Sequence, residues 1–296
     1  MLLALAGFAC LSVGDVIVKS MAGQMAGSEI ALLRYAFGAL GLGCAMLIVR
    51  GRLWFICPLP WLQFARACAV ACATFGFFMG VQYMPIANAT AIQFTSPMLT
   101  ALLSAVLLRE RAPFAAWVAT AMAFVGVLII LRPEVLNLGF AALFPLMAAL
   151  SMALLMICNR KVAGSAPLLE LQFLVAIFAL PVLCALALGM HLTGLPQFRL
   201  HMPSSIILLK CACVAITGTI SHGLIYMATQ RASAAIVAPM MYVQLLMAVV
   251  LGWLFFHNIP TAIMLLGAGI IIAGGVYLGQ AGRRQLPTPL GEGENA

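Results

Sequence analysis

Six stretches without one charged residue, 85–108, 112–131, 135–159, 171–190, 232–256 and 259–282, dominate this chain of 296 residues. Each meets the roughly 20 apolar residues that a helix needs to cross a bilayer core about 30 Å thick. In hydrocarbon every backbone donor and acceptor must be satisfied within the protein, which leaves helices or a closed barrel. A barrel would show short alternating segments in place of continuous apolar runs, so helices are expected. Four further spans, about 2–20, 29–49, 61–83 and 205–227, carry a few ionisable residues and bring the predicted total to ten. With 65% hydrophobic and 7% charged residues, the composition excludes a water-soluble surface.

The chain also repeats itself. Gly80 to Met84 (Gly-Val-Gln-Tyr-Met) is echoed by Gly223 to Met227 (Gly-Leu-Ile-Tyr-Met), and each is followed by a Pro-Met pair, Pro97-Met98 and Pro239-Met240. The offset is 143 at the tyrosines Tyr83 and Tyr226, 142 at the Pro-Met pairs and 147 at the loop prolines Pro113 and Pro260. A drifting duplication of this kind predicts two structural repeats, 1–133 and 134–282, followed by a disordered cytoplasmic tail over 283–296. Five spans is an odd number, so the second repeat enters the bilayer from the opposite face. The expected fold class is an all-α membrane protein with ten transmembrane helices in two inverted five-helix repeats. Such an arrangement sets a central site on a pseudo-twofold axis, where two near-equivalent conformations expose it to either side in turn. Transport by alternating access follows as the expected activity.

Positive charge assigns the sides. With the N-terminus inside, Arg50, Arg52, Arg109, Arg111, Arg160, Lys161, Arg231, Arg283 and Arg284 fall on the inner face, against Lys19, Arg132 and Arg199 outside. The predicted location is the cytoplasmic (inner) membrane with both termini cytoplasmic. The net charge of +8 is then a topology signal and an attraction to anionic lipid, and no nucleic-acid partner is expected. The first span begins at Leu2 without a basic n-region, so it is expected to stay in the mature protein. The nine cysteines show no spacing with histidines that builds a metal site and read as small apolar fillers. No phosphate-binding loop occurs, and no cofactor or enzymatic activity is expected.

Several of these residues together resemble the EamA-type, ten-helix branch of the drug/metabolite transporter superfamily. The resemblance covers about 1–282 and rests on Ser28-Glu29 with Arg34, the two tyrosine motifs, Pro97 before Arg109-Glu110-Arg111, the stretch Gly126 to Ile129, Pro239-Met240, Gly252-Trp253 and the run Gly267 to Gly275. The usual acidic residue ending the ninth helix is His257-Asn258 here, so no carboxylate role carries over at that position. The resemblance implies a central cavity lined mainly by the third, fourth, eighth and ninth helices. It also implies small-metabolite cargo, amino acids and aromatic ones among them.

Helix rise places the middle of those lining helices near 72–78, 93–98, 215–222 and 241–245. The candidates there for substrate binding are Phe75, Phe78, Gln93, Thr95, Ser96, His222, Tyr242 and Gln244, with Thr74, Thr217 and Thr219 beside them. Hydroxyls in hydrocarbon often serve as interhelical hydrogen bonds, whereas Gln93, His222 and Gln244 are larger polar groups that are harder to bury without several partners. Phe75 and Phe78 read either as core or as a wall that stacks an aromatic cargo. For gating or coupling the candidates are Asp15, Lys19, Arg34, Tyr83, Pro97, Tyr226 and Pro239. Asp15 and Lys19 lie four apart on one face, either as a mutually neutralising pair or as separate ligands for charged groups. Arg34 either pairs with Glu29 or faces the cavity, and Glu29 and Glu170 suit the first turns of their helices. Tyr83 and Tyr226 read as interfacial belt residues or gate rims, Pro97 and Pro239 as matched kinks. Arg66 and Lys210 fall near the starts of their spans and read as snorkelling anchors outside the site.

The expected function is secondary transport, with amino-acid export favoured, efflux of lipophilic cations or other small metabolites as the first alternative and an intramembrane lipid-acting enzyme as the second. The partners are a small-molecule substrate and the lipid bilayer, with the chain a monomer or weak homodimer. Tags on the two termini are expected on one and the same face, in the cytoplasm, when probed in intact cells with membrane-impermeant reagents.

Overall fold

The structure, a computed structural model, describes residues 1–51, 57–84, 86–108, 114–131, 139–195, 198, 203–232, 234–256 and 262–284. Among them every element is helical: α1 (Leu2–Lys19), α2 (Gly27–Arg50), α3 (Pro60–Tyr83), α4 (Ile86–Gln93), α5 (Ser96–Leu103), α6 (Phe114–Leu131), α7 (Leu143–Lys161), α8 (Leu168–Leu192), α9 (Ser205–Arg231), α10 (Ala234–Val237), α11 (Val243–Phe256) and α12 (Ala262–Arg284). Six described helices are long and apolar enough to cross a membrane. The passages over 86–108, 114–131, 234–256 and 262–284 complete ten among the described residues.

Two of these passages are interrupted. The fourth stops at Gln93, turns through Phe94 and Thr95, resumes as α5 with Pro97 in its first turn, and closes on a π-helical turn over Ser104–Leu108. In the ninth, a 3-10 segment, Ala238–Tyr242, holds Pro239 between α10 and α11. The expected kinks in continuous helices are therefore breaks. A proline lacks the backbone N–H and its ring collides with the carbonyl four residues earlier, which for Pro97 is that of Gln93, the last residue of α4.

Packing follows the duplication. α1 lies along α9, α3 along α7, α2 against α8 and α6 against α12. By the sequence offset α7 is the counterpart of α1, and α9 that of α3. The α1–α9 pair is thus the twin of α7–α3, while α2–α8 and α6–α12 each join a helix to its own twin. A pseudo-twofold axis generates this pattern, and the odd number of passages per repeat makes the two copies inverted. One hydrophobic core, including Phe8, Ile30, Phe78, Met79, Phe94 and Met156, runs through both repeats.

Close approach is achieved with glycine. A Cβ on Gly76 in α3 would stand 2.6 Å from the Phe144 carbonyl oxygen, and one on Gly126 in α6 equally near that of Gly267 in α12, within the glycine run read from the sequence. At the chain end, α12 continues through Arg284, so the predicted tail loses its first two residues to the helix. The rest of that tail, Pro113, Pro260, Glu110 and the His257-Asn258 pair lie outside the described residues.

Gly76→Val should lower the melting temperature in detergent by several degrees, since overpacking costs about 1–3 kcal/mol. Gly41→Val has nothing within 4 Å of the added carbon and should melt close to wild type.

Candidate functional site

Near mid-membrane, polar side chains from several helices converge. α1 supplies Asp15, α2 Arg34, α3 Thr74 with Phe77 and Phe78, α4 Gln93, and α11 Gln244; together with His222 of α9 these border a cavity of about 30 Å³. A second cavity of about 30 Å³ lies between α2, α8 and α9, bordered by Tyr35, Gln172, Gly218 and Thr219. Arg34 and His222 line both. Each holds a water or two, far short of the roughly 300–1,000 Å³ of a ligand pocket. A metabolite can enter only when the surrounding helices move apart.

Arg34 is the centre of this cluster and is only 7% exposed. Its Nη1 donates to Thr74 Oγ1 at 3.3 Å, and that hydroxyl lies 3.4 Å from the Tyr35 hydroxyl. The guanidinium carbon stands 5.1 Å from the Tyr35 ring centroid and 5.8 Å from that of Phe78, where ring faces stabilise a desolvated cation by about 2 kcal/mol. On the α9 side the guanidinium presses on bare backbone: a Cβ at Gly218 would meet Arg34 Nε at 2.7 Å and Cζ at 2.8 Å. Glycine at 218 is what lets the cation lie there.

Asp15 accepts a hydrogen bond of 2.5 Å from Gln244 Nε2, and Ser12 Oγ donates to the Gln244 carbonyl at 3.1 Å, tying α1 to α11 across the two repeats. Lys19 turns elsewhere, donating to the Val81 carbonyl at 3.5 Å. The neutralising Asp15–Lys19 pair is therefore corrected: α11 offers the carboxylate a nearer donor, and the cation that shares its cavity is Arg34.

Of the residues selected from the sequence, the structure brings together Asp15, Arg34, Phe78, Gln93, His222 and Gln244, with Thr74 and Thr219. Others stand apart. Phe75 packs edge-on against Phe144, with centroids 6.3 Å apart, and Tyr83 stacks on the same ring at 5.8 Å while 43% exposed. Thr95 Oγ1 bonds back to the Ile92 carbonyl, Ser96 is buried with its carbonyl taken by Thr100, and Thr217 bonds back within α9. Tyr242 joins the two broken passages: its hydroxyl donates to the Phe94 carbonyl at 3.3 Å, at the break between α4 and α5, and the rings meet edge-on at 5.3 Å. Pro97 and Pro239 make those breaks. Glu29 and Glu170 occupy the first turns of α2 and α8, as expected. Sequence reasoning missed Tyr35, Phe77 and Gln172, although Gln172, an amide inside a charge-free run, carried the same signal as Gln93.

Two further expectations fail at Arg66. It is 2% exposed, not snorkelling, and Nε donates to Asn159 Oδ1 of α7 while Nη1 donates to the Leu171 carbonyl of α8 at 3.1 Å and to Gln63 Oε1 at 3.3 Å. Its guanidinium carbon stands 5.1 Å from the ring of Tyr226, which is fully buried and donates to the Val162 carbonyl at 3.2 Å. Tyr226 is thus no belt residue, and its twin Tyr83 sits in an unlike, exposed place. The network joins α3, α7, α8 and α9 on the face that carries the chain termini. Its counterpart at the opposite face is slighter: half-buried Lys210 donates to the Ser20 carbonyl at 3.5 Å.

This fold and this arrangement can be set beside known proteins. A crystal structure superposes with a TM-score of 0.74 over 96% of this chain and 98% of that one, at 19% identity, which speaks for the fold alone. The EamA-like transporter family matches twice, over residues 1–132 and 139–279. The chain belongs to the EamA-like transporter family. It is therefore a multi-pass membrane protein that transports small metabolites, and not an enzyme. Among its relatives are an S-adenosylmethionine uptake transporter of Rickettsia prowazekii, 24% identical over 90% of this chain and 87% of that protein, and a riboflavin transporter of Rhizobium johnstonii, 27% identical over 74% and 70%.

Arg66→Met should destabilise the protein by at least about 2 kcal/mol, because hydrogen bonds to a charged donor contribute about 1.5–3 kcal/mol each and Asn159 and Gln63 lose theirs. Tyr242→Phe, which keeps the ring contact, should cost about 1 kcal/mol, against about 3–5 kcal/mol for Tyr242→Ala. Chemical or thermal unfolding in detergent checks both.

Proposed function

We propose that this transporter is an alternating-access carrier for a zwitterionic metabolite with an aromatic group, that S-adenosylmethionine is its foremost cargo, and that uptake is its direction. The observation that carries this reading is the placing of one fixed cation, Arg34, and one carboxylate, Asp15, around a single mid-membrane cavity walled by Phe77 and Phe78. Opposite charges held in hydrocarbon are costly and persist where they bind something. S-adenosylmethionine offers them a carboxylate, an ammonium and a sulfonium, and offers the rings an adenine. Neutral riboflavin would leave both charges unused, and a lipophilic cation would meet Arg34 as a like charge. Free amino acids share the zwitterion, but the relatives' names favour uptake of a larger amino-acid derivative over amino-acid export.

Support for alternation comes from the cross-repeat contacts. Separating the repeats on the terminal face breaks the Arg66 network, and separating them on the other face breaks the Lys210 hydrogen bond and the Tyr83–Phe144 stack. The cargo's own contacts at Arg34 and Asp15 must offset these losses.

In proteoliposomes, labelled S-adenosylmethionine should accumulate or exchange saturably, and Arg34→Gln and Asp15→Asn should each lower uptake at limiting substrate by tenfold or more, about 1.4 kcal/mol of recognition. Absence of uptake and exchange in protein that is folded by its melting transition would reject this cargo. Uptake of riboflavin unaffected by the two substitutions would replace it with the neutral alternative.

A further inference from the structure

The cavity between α2, α8 and α9 differs from its neighbour in chemistry. Its lining holds a cation, an amide, two hydroxyl-bearing residues and an imidazole, namely Arg34, Gln172, Tyr35, Thr219 and His222, and no carboxylate. Asp15, Gln93 and Gln244 all lie on the other side of Arg34. Gln172 is 93% buried by its 7% relative exposure, and its Nε2 has no hydrogen-bond partner among the described residues. That nitrogen points across to α9, 3.6 Å from where a Cβ on Gly223 would stand. A buried amide N–H without an acceptor is destabilising, and such a group is rare where there is no acceptor to receive. Arg34 adds to the surplus, since one of its five N–H donors is committed to Thr74 in the structure.

We infer that Arg34 and Gln172 form an oxyanion subsite that takes the carboxylate of the cargo, while Asp15, held by Gln244, faces the cargo's cationic end from the opposite side. The inference rests on the carrier reading above and makes it more specific. The guanidinium offers the charge and a planar pair of donors, and Gln172 Nε2 offers a third donor from α8. Gly218 matters because its bare backbone lets the guanidinium lie between the cavities and serve both. Since Arg34 comes from the first repeat and Gln172 from the second, a bound carboxylate bridges the two repeats at the point where they must move relative to each other.

Two measurements on the full chain decide the matter, the first in lipid nanodiscs and the second in proteoliposomes. In the first, thermal unfolding is followed with methionine and with methioninamide, which differ in the carboxylate alone. Methionine should raise the melting temperature of the wild type and methioninamide should not, and the difference should vanish in Gln172→Leu and Arg34→Gln and return in part in Gln172→Asn. In the second, S-adenosylmethionine competes for its own uptake against its decarboxylated analogue, with the analogue expected to be weaker by about tenfold in wild type and by less than about threefold in Gln172→Leu. Equal shifts from methionine and methioninamide, or none from either, would overturn the subsite even if S-adenosylmethionine is carried. Selective shifts by methionine without uptake of S-adenosylmethionine would uphold the subsite and reject the proposed cargo.

Discussion

A polar group in hydrocarbon has only the protein to bond with, and this single constraint organises the molecule. The backbone meets it by becoming helix. Many side chains meet it within their own repeat, and a set of them meets it by reaching across the repeat boundary: Gln244 to Asp15, Ser12 to the Gln244 carbonyl, Tyr242 to the Phe94 carbonyl, Arg66 to Asn159 and the Leu171 carbonyl. Lipid cannot compete for these groups, so the two repeats adhere through them as well as through packing. The bonds that hold the repeats together are the ones a transport cycle must exchange.

Viewed this way, the breaks in the fourth and ninth passages have a structural purpose. Each proline ends a run of helix and leaves irregular backbone at mid-membrane, which is tolerable only where protein covers it. The Tyr242 hydroxyl from one break covers the Phe94 carbonyl at the other. Two discontinuities that would each be costly alone are satisfied together, close to the cavity lined by Gln93 and Gln244. The two faces of the protein are sealed differently, by a buried arginine with several partners on the terminal face and by a half-buried lysine and the Tyr83–Phe144 stack on the other. An inverted repeat therefore keeps its symmetry in the helices and loses it in the side chains, which lets the two end states of one carrier differ in free energy.

Much of the site could be read beforehand. Arg34, Asp15, Gln93, His222 and Gln244 are conspicuous because charge and amide are costly in apolar runs, and the positions of Gln93, His222 and Gln244 near helix midpoints already suggested a shared depth. Phe75 was indistinguishable from Phe78 for a different reason. Three residues apart on one helix, the two rings differ by rotation about the helix axis, and their surroundings depend on which neighbour lies beside each face: Phe144 for one, Arg34 for the other. Arg66 misled because its distance from the span's end allows a long side chain to reach water. Only the placement of Asn159 and Tyr226 beside it turns the chain inward.

By itself the sequence determined the medium, the helices, their number and the inverted duplication, because hydrophobic length, proline and an odd repeat count act locally or by arithmetic. Tertiary structure alone decided which polar residues share a cavity. Which face of a helix meets which neighbour depends on packing between segments far apart in the chain, and on such details as the bare backbone of Gly218 beneath a guanidinium contributed by α2.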